Sequence, residues 1–362
     1  MKIKTTKESL LNGIQIVQNI VSQRATLPIL SNILIETKNE ALKMNATDLD
    51  IGISCEVPVN VLEEGAITIP AKKFSDIIKE LPSGEVIVTT KKNFQIDIEG
   101  EKCHFKLTGL PKEDFPKFPE FKDIEVIQIE QNTLKEMIRL TAFAASHEES
   151  RYVLNGVLVE ISGVNIRIVA TDGRRLAKTE NKLLKPIQKD ITVIIPSKAI
   201  QEIYRNLKEE GIISLLVSTN QILFDINGVF IATRIIEGEF PNYNQVIPDP
   251  VTPKIKIKTQ DLLSAIKRAN LFTTPDFQAI KFEVFKDKLV VSKTTPDVGE
   301  SREEIPIEYG GNELIVGFNP QYLIDMLKNI NTETIEYELF GSDKPAVART
   351  SSYLYLVLPM RI

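Results

Sequence analysis

The side chains that could do chemistry in this 362-residue chain are few. Asp48 and Asp50 sit in ATDLDIG, and Asp172 sits in ATDGRR. Such carboxylates could serve as general acid and base or hold a divalent metal. At an Asp-Gly step between two strand patterns, however, aspartate is first a turn former that accepts backbone amides. The two histidines, His104 and His147, have no partner at metal-ligand spacing. Cys55 and Cys103 lie 48 residues apart with no C-x-x-C, which argues against zinc. The sequence has no G-x-x-x-x-G-K-[ST] phosphate loop, no G-x-G-x-x-G and no G-x-S-x-G nucleophile elbow. Catalysis needs a constellation of groups, and none is visible, so no catalytic residue, metal site or cofactor is expected.

The elements that carry these residues recur. KESLLNGIQIVQNIVS, NTLKEMIRLTAFAAS and QDLLSAIKRANLF have helical periodicity, and Leu10, Leu134 and Leu262 occupy like positions 124 and then 128 residues apart. Each is followed by a strand, a break and an amphipathic helix: AITIPAKKFSDIIKELP, ITVIIPSKAIQEIYRNLK and ELIVGFNPQYLIDMLKNI, with Pro70 and Pro196 126 apart. Asp48 and Asp172 are 124 apart in matching strand-turn-strand segments, and LVVSKTTPDVGES is a weak third copy. Alternating runs with hairpin signals at Asn227-Gly228 and near Gly100 fill the intervals. Each third closes on a strand leading towards proline, the last being YLYLVLPMRI. The expectation is an α+β chain of three tandem domains, 1–120, 121–247 and 248–362. Each should hold two helices and about eight strands, with proline-rich joins near 115–123 and 247–254.

The chain carries 44 Lys+Arg against 49 Asp+Glu, a net charge of −5, and no third of it is basic, which excludes a wholly basic nucleic-acid module. Any DNA contact must gather positive charge on one face. No apolar run is long enough to span a bilayer, polar residues interrupt the N-terminal apolar clusters, and two cysteines in 362 residues suit a reducing compartment, so a cytoplasmic location is expected.

ESRYVLNGVLVE (149–160), IVATDGRRLAK (168–178), GEFPNYNQVIP (238–248) and YLVLPMRI (355–362), with TLPILSNILIE (26–36) and IPAKKFSDIIKELP (69–82), together resemble the bacterial DNA polymerase III β subunit family, the sliding clamps. The resemblance spans the whole chain and keeps the order of motifs. It implies three tandem DNA-clamp domains, a ring-shaped head-to-tail homodimer, and a non-enzymatic function. The ring would encircle double-stranded DNA without reading its sequence and tether the replicative polymerase, conferring processivity. The clamp loader, other polymerases and repair factors would bind through short linear peptides of the Gln-Leu-x-Leu-Phe type. A metal-dependent DNA-processing enzyme on a triplicated scaffold is the alternative.

By the same resemblance Arg24, Lys72 and Tyr152 occupy DNA-contacting positions. Helix-borne Lys135 and Arg139 (i, i+4), and Lys198 with Arg205 (seven apart on one face), add candidates for phosphate contact, with Lys73, Lys267, Arg268 and Lys328 behind them. The partner-peptide pocket maps to Leu154, Thr171, Gly173, Arg174, Arg175, Leu176, Pro241 and Val246, with Leu356, Leu358, Pro359, Met360, Arg361 and Ile362 from the tail. An apolar groove with an adaptable methionine suits that role. By the resemblance, Pro359 to Ile362 are expected to lie against the TDGRRL hairpin. Phe105, Leu271 and Phe272 map to the dimer seam. Four positions depart from the family pattern: Arg174 for a histidine, Leu358 for a methionine, Val153 for an aromatic, and Glu148 near a neutral amide position.

Overall fold

The computed structural model describes residues 1–21, 27–122 and 124–362. In the first third, β1 (Lys2–Thr6) leads into α1 (Lys7–Val17), then β2 (Asn32–Lys38), β3 (Ala41–Thr47), β4 (Ile51–Pro58), β5 (Asn60–Glu63) and β6 (Ala66–Pro70). It ends with α2 (Ala71–Glu80), β7 (Glu85–Thr90), β8 (Gln95–Gly100) and β9 (Cys103–Thr108). The middle third runs β10 (Ile127–Glu130), α3 (Gln131–Thr141), β11 (Gly156–Ser162), β12 (Asn165–Thr171), β13 (Arg175–Lys182), β14 (Ile191–Pro196), α4 (Ser197–Asn206), β15 (Ile212–Val217), β16 (Gln221–Ile226) and β17 (Val229–Arg234). The last third runs β18 (Ile255–Lys258), α5 (Thr259–Asn270), β19 (Ile280–Val284), β20 (Lys288–Thr295), β21 (Gly299–Pro306), β22 (Leu314–Phe318), α6 (Pro320–Asn329), β23 (Thr334–Leu339), β24 (Ala346–Arg349) and β25 (Tyr353–Val357). The three-fold order of elements is therefore real, and the weak third copy, LVVSKTTPDVGES, is a full hairpin, β20–β21.

Local chemistry explains the elements. The Thr6 hydroxyl caps α1 by accepting the Ser9 amide at 3.1 Å, and Leu10, Ile14 and Val17 bury one face. Gly13 lets that face approach the sheet, since a Cβ there would stand 2.8 Å from Met44 and Val57. Asn227 and Gly228 both have positive φ (52° and 86°), as a two-residue hairpin requires. The aspartates are turn formers. Asp48 Oδ1 accepts the amides of Asp50 (3.0 Å) and Ile51 (2.8 Å), and Asp172 Oδ1 accepts those of Arg174 (2.9 Å) and Arg175 (3.0 Å). No acid-base role is needed to account for either.

The chain forms two compact units, 1–132 with 201–235, and 133–200 with 236–362. The first contains a five-stranded sheet, β5-β1-β7-β8-β9, and an eight-stranded sheet, β10-β15-β16-β17-β4-β3-β2-β6. The second contains an eight-stranded sheet, β14-β11-β12-β13-β25-β24-β23-β18, and a four-stranded sheet, β21-β20-β19-β22. Each eight-stranded sheet is stitched from two repeats. In one, β17 pairs with β4, setting Ala232 opposite Gly52 and Thr233 opposite Ile51. In the other, β25 pairs with β13, setting Leu356 opposite Leu176 and Val357 opposite Arg175. Every partner in the second set lies 124 residues after its counterpart, so the seam between repeats keeps its register as well as its strands. The counterparts left over, β9 and β21, are edge strands of the two smaller sheets. An unpaired edge is an open template for another strand.

Candidate functional site

The second unit brings together nearly all the predicted pocket residues. Its base is a core cluster in which Leu158, Val169, Leu176, Ile194, Tyr243, Val347, Leu354 and Leu356 are buried, with Val153, Phe240 and Ile247 packed against it. Leu176, Leu356 and Leu154 are thus floor rather than wall, each at most 6% exposed. The other apolar residues of the set remain open: Val246 is 54% exposed, Leu358 40% and Ile362 68%, with Pro359 and Met360 half-buried and Pro241 exposed. Large apolar side chains at such exposure are the pattern of a binding surface.

The 172–174 loop is held from three sides. The Thr171 hydroxyl accepts the Gly173 amide at 3.0 Å and donates to the Arg175 carbonyl. Gly173 has φ +85°, and a Cβ there would meet the Arg151 guanidinium at 2.6 Å. Arg151 in turn donates to the Asp172 carbonyl at 3.0 Å. The only mark of Arg151 in the sequence is its place beside Tyr152 in ESRY. Thr171, one of the residues mapped to the peptide pocket, is 8% exposed and spends its hydroxyl on this loop.

Arg175 likewise departs from its expected place in the pocket wall. Its guanidinium is 8% exposed, pairs with Asp172 (3.1 Å) and Asp325 (2.6 Å), donates to the Phe143 carbonyl (2.7 Å) and lies 4.5 Å from the Tyr322 ring centroid. It ties the loop to α6. Arg174 is the exposed cation of the pair.

The tail crosses two elements. The Leu358 amide donates to the Arg174 carbonyl at 2.9 Å, so the tail touches the TDGRRL hairpin just before the Pro359–Ile362 stretch expected to lie on it. The following residues leave that hairpin, and the Met360 amide donates to Gly317 of β22 at 2.8 Å. Gly317 is required there, because a Cβ would stand 2.6 Å from the Met360 carbonyl oxygen and 2.7 Å from Ile362. Beneath the groove, Tyr243 donates to Glu160 at 2.6 Å and accepts from Arg167, which also pairs with Glu180 (3.1 Å). Burial and then the Glu160 carboxylate push the Tyr243 phenol up to about 12.

The DNA candidates are less uniform. Arg24 lies outside the described residues. Lys72 and Lys73 are exposed at the start of α2 and line, with Lys79, a cleft of about 560 Å³ in the first unit. Tyr152 is 58% exposed in a short 3-10 turn (Glu149–Asn155). Arg139 is committed to Glu136 (3.0 Å) and the Asn329 carbonyl, and Arg205 to the buried Glu202. Lys135 and Lys198 lie on α3 and α4, each already in some contact. Among the reserve candidates, Arg268 is paired with Glu303 at 2.7 Å.

Of the seam candidates, Leu271 is 77% exposed at the end of α5, which excludes a core role. Phe272 packs towards the β21 edge, where a Cβ on Gly299 would stand 3.2 Å from its ring. Phe105 is half-buried on the β9 edge strand.

His104 does have acidic neighbours that sequence spacing did not reveal, because the β8–β9 register sets it opposite Glu99 (4.0 Å) and 3.6 Å from Asp97. Lys91 already pairs with Asp97 and holds its carboxyl below the usual range.

Profiles described as the DNA polymerase III beta subunit N-terminal, central and C-terminal domains match residues 1–119, 128–242 and 244–361 in that order. The chain belongs to the DNA polymerase III beta subunit family. Its fold is three tandem clamp domains. It is 32% identical to the beta sliding clamp of Chlamydia muridarum over 363 residues, covering all of this chain and 99% of that protein. It is 32% identical to that of Pseudomonas aeruginosa over 367 residues, covering both in full. Among solved structures, the Bacillus subtilis DNA polymerase sliding clamp superposes with a TM-score of 0.96 at 29% identity, covering all of this chain and 99% of that one. A Bartonella birtlesii sliding clamp solved bound to griselimycin does so with a TM-score of 0.96 at 31% identity, covering both chains in full. Among the described residues of this clamp, no helix is long and apolar enough to cross a membrane.

Proposed function

We propose that two copies of this chain close head to tail into a ring that encircles duplex DNA and tethers the replicative polymerase to its template in the cytoplasm. The ring itself does no bond chemistry. Topology holds the polymerase near the primer end and raises its effective concentration without tight binding. The three domains correspond to residues 1–120, 121–247 and 248–362.

One observation supports this reading: the junction between repeats is made twice inside the chain in one register, and its third set of partners, β9 and β21, is left as open edges among the described residues. Carrying the register forward pairs β9 with β21 of a second copy. Phe105 then faces Ser301 of the partner subunit, and Lys106 faces Glu300 of the partner subunit, so opposite charges meet across the seam. Leu271 and Phe272 supply its apolar part. A heterologous contact of this kind must close, or it runs on into a filament.

Lys72, Lys135, Lys198, Arg24 and Tyr152 serve as sequence-independent contacts, in which ammonium groups exchange between phosphates as the ring slides. Arg139 and Arg205 act secondarily, their guanidinium groups being shared with acidic or carbonyl partners. The polymerase, the clamp loader and repair factors dock a short hydrophobic peptide over Val246, Leu358, Met360 and Ile362, with exposed Arg174 and Arg361 at the groove's edge. Sedimentation equilibrium tests closure: the expected mass is twice that of the chain, and a monomer or an open-ended series contradicts it.

A further inference from the structure

The first unit holds a cleft built from the same parts as the candidate peptide groove, at the seam between β4 and β17. Its volume is about 190 Å³. The matching register explains why it is hollow. Where the second unit sets Leu176 opposite Leu356, the first sets Gly52 opposite Ala232, so two leucine side chains are missing from the floor. Phe118 reaches over this floor, 3.3 Å from where a Cβ on Gly52 would stand, and is itself only half-buried.

The loop at the mouth repeats that of the other groove. Thr47 accepts the Leu49 amide at 3.0 Å, as Thr171 accepts that of Gly173. Leu49 has φ +81° against +85° for Gly173. A leucine held in left-handed backbone is an outlier of the kind that persists at ligand clamps. Here it holds an apolar side chain 49% exposed on the cleft's edge. The lining also carries two exposed cations, Lys117 and Arg234, against one acid, Asp50.

We propose that this cleft is a second peptide-docking site, taking one aliphatic or aromatic side chain with a carboxylate beside it. The volume suits a single leucine or phenylalanine side chain, and the surplus positive charge selects an acidic or C-terminal neighbour. The choice of a peptide as occupant rests on the reading of the groove in the second unit; the cavity and its charge do not.

The test is methyl NMR of the full-length protein titrated with the pentapeptide Gln-Leu-Asp-Leu-Phe bearing a free C-terminal carboxylate. The methyl signals of Leu49 and Ala232 report this cleft, and those of Leu358 and Ile362 report the other groove. Both sets are expected to shift. Arg234→Glu is expected to weaken the Leu49 response about tenfold and leave that of Ile362 unchanged. Ala232→Leu, which restores the floor, is expected to abolish it. Shifts confined to Leu358 and Ile362, or a Leu49 response untouched by both substitutions, overturn the proposal. A silent Leu358–Ile362 set with a responding Leu49 instead contradicts only the groove of the second unit.

Discussion

The Met360 amide and the Gly317 carbonyl meet at 2.8 Å, and there is no room for a side chain between the two strands of backbone. This contact makes the chain's last residues part of a surface. On the proposed function it draws Gly317, which sits in the ELIVGFNPQYL repeat segment, into the support of the peptide groove. Gly317→Val is expected to lift the tail and weaken capture of a Gln-Leu-x-Leu-Phe peptide about tenfold, roughly 1.4 kcal/mol. Fluorescence anisotropy measures the loss, and an unchanged thermal midpoint separates it from unfolding.

Arg175 and Arg174 are adjacent and should behave oppositely. Arg175→Met leaves Asp172 and Asp325 without their buried partner, which costs about 3 kcal/mol. Arg174→Ala removes an exposed cation and should change stability by less than about 0.5 kcal/mol. Urea denaturation checks both, and only Arg174→Ala yields a clean effect on peptide affinity.

The seam register gives a charge-exchange test. Lys106→Glu should set two acids face to face and raise the monomer fraction, Glu300→Lys should do the same with two cations, and the double variant should recover the dimer. Sedimentation velocity at low salt measures the three. Single variants that stay dimeric contradict the register.

At alkaline pH the folded state should weaken. Tyr243 is protonated to about 12 when folded, whereas its unfolded phenol ionises near 10, so stability is intact below about pH 10 and is lost as pH rises towards 12. Burial raises Tyr337, Tyr353 and Tyr355 in the same direction, so Tyr243→Phe flattens only part of the fall. Denaturant midpoints at pH 9 and 11.5 give the slope.

The two thiols should separate cleanly. Burial, with Glu56 adding to it, pushes the Cys55 thiol up to about 12, leaving roughly one part in ten thousand as thiolate at pH 8. Cys103 is half-buried on an edge strand. Iodoacetamide on the native protein is expected to label Cys103 alone, read by peptide mass mapping.

The triplication was legible because helix periodicity and turn aspartates are local signals: Leu10, Leu134 and Leu262 mark the helices, and Asp48 and Asp172 mark one loop. The joints between repeats were not, because β4 pairs with β17 and β13 with β25 across more than a hundred residues, and no local pattern records a partner. The candidate groove was half legible. Motif position proposed its residues, but Leu176 and Leu356 are buried floor, Arg175 a buried tie, and Thr171 a loop fastener. Burial depends on what packs from elsewhere in the chain, and so does the role of Gly317, whose importance comes from a backbone 43 residues away.

Retention on DNA tests the central claim most directly. The protein is loaded by a bacterial clamp loader onto a nicked circular duplex, freed of loader by gel filtration, and followed before and after a restriction enzyme linearises the circle. A ring should stay on the circle through a salt wash and leave once free ends appear. Equal retention on circular and linear DNA, or none on the circle, would contradict it.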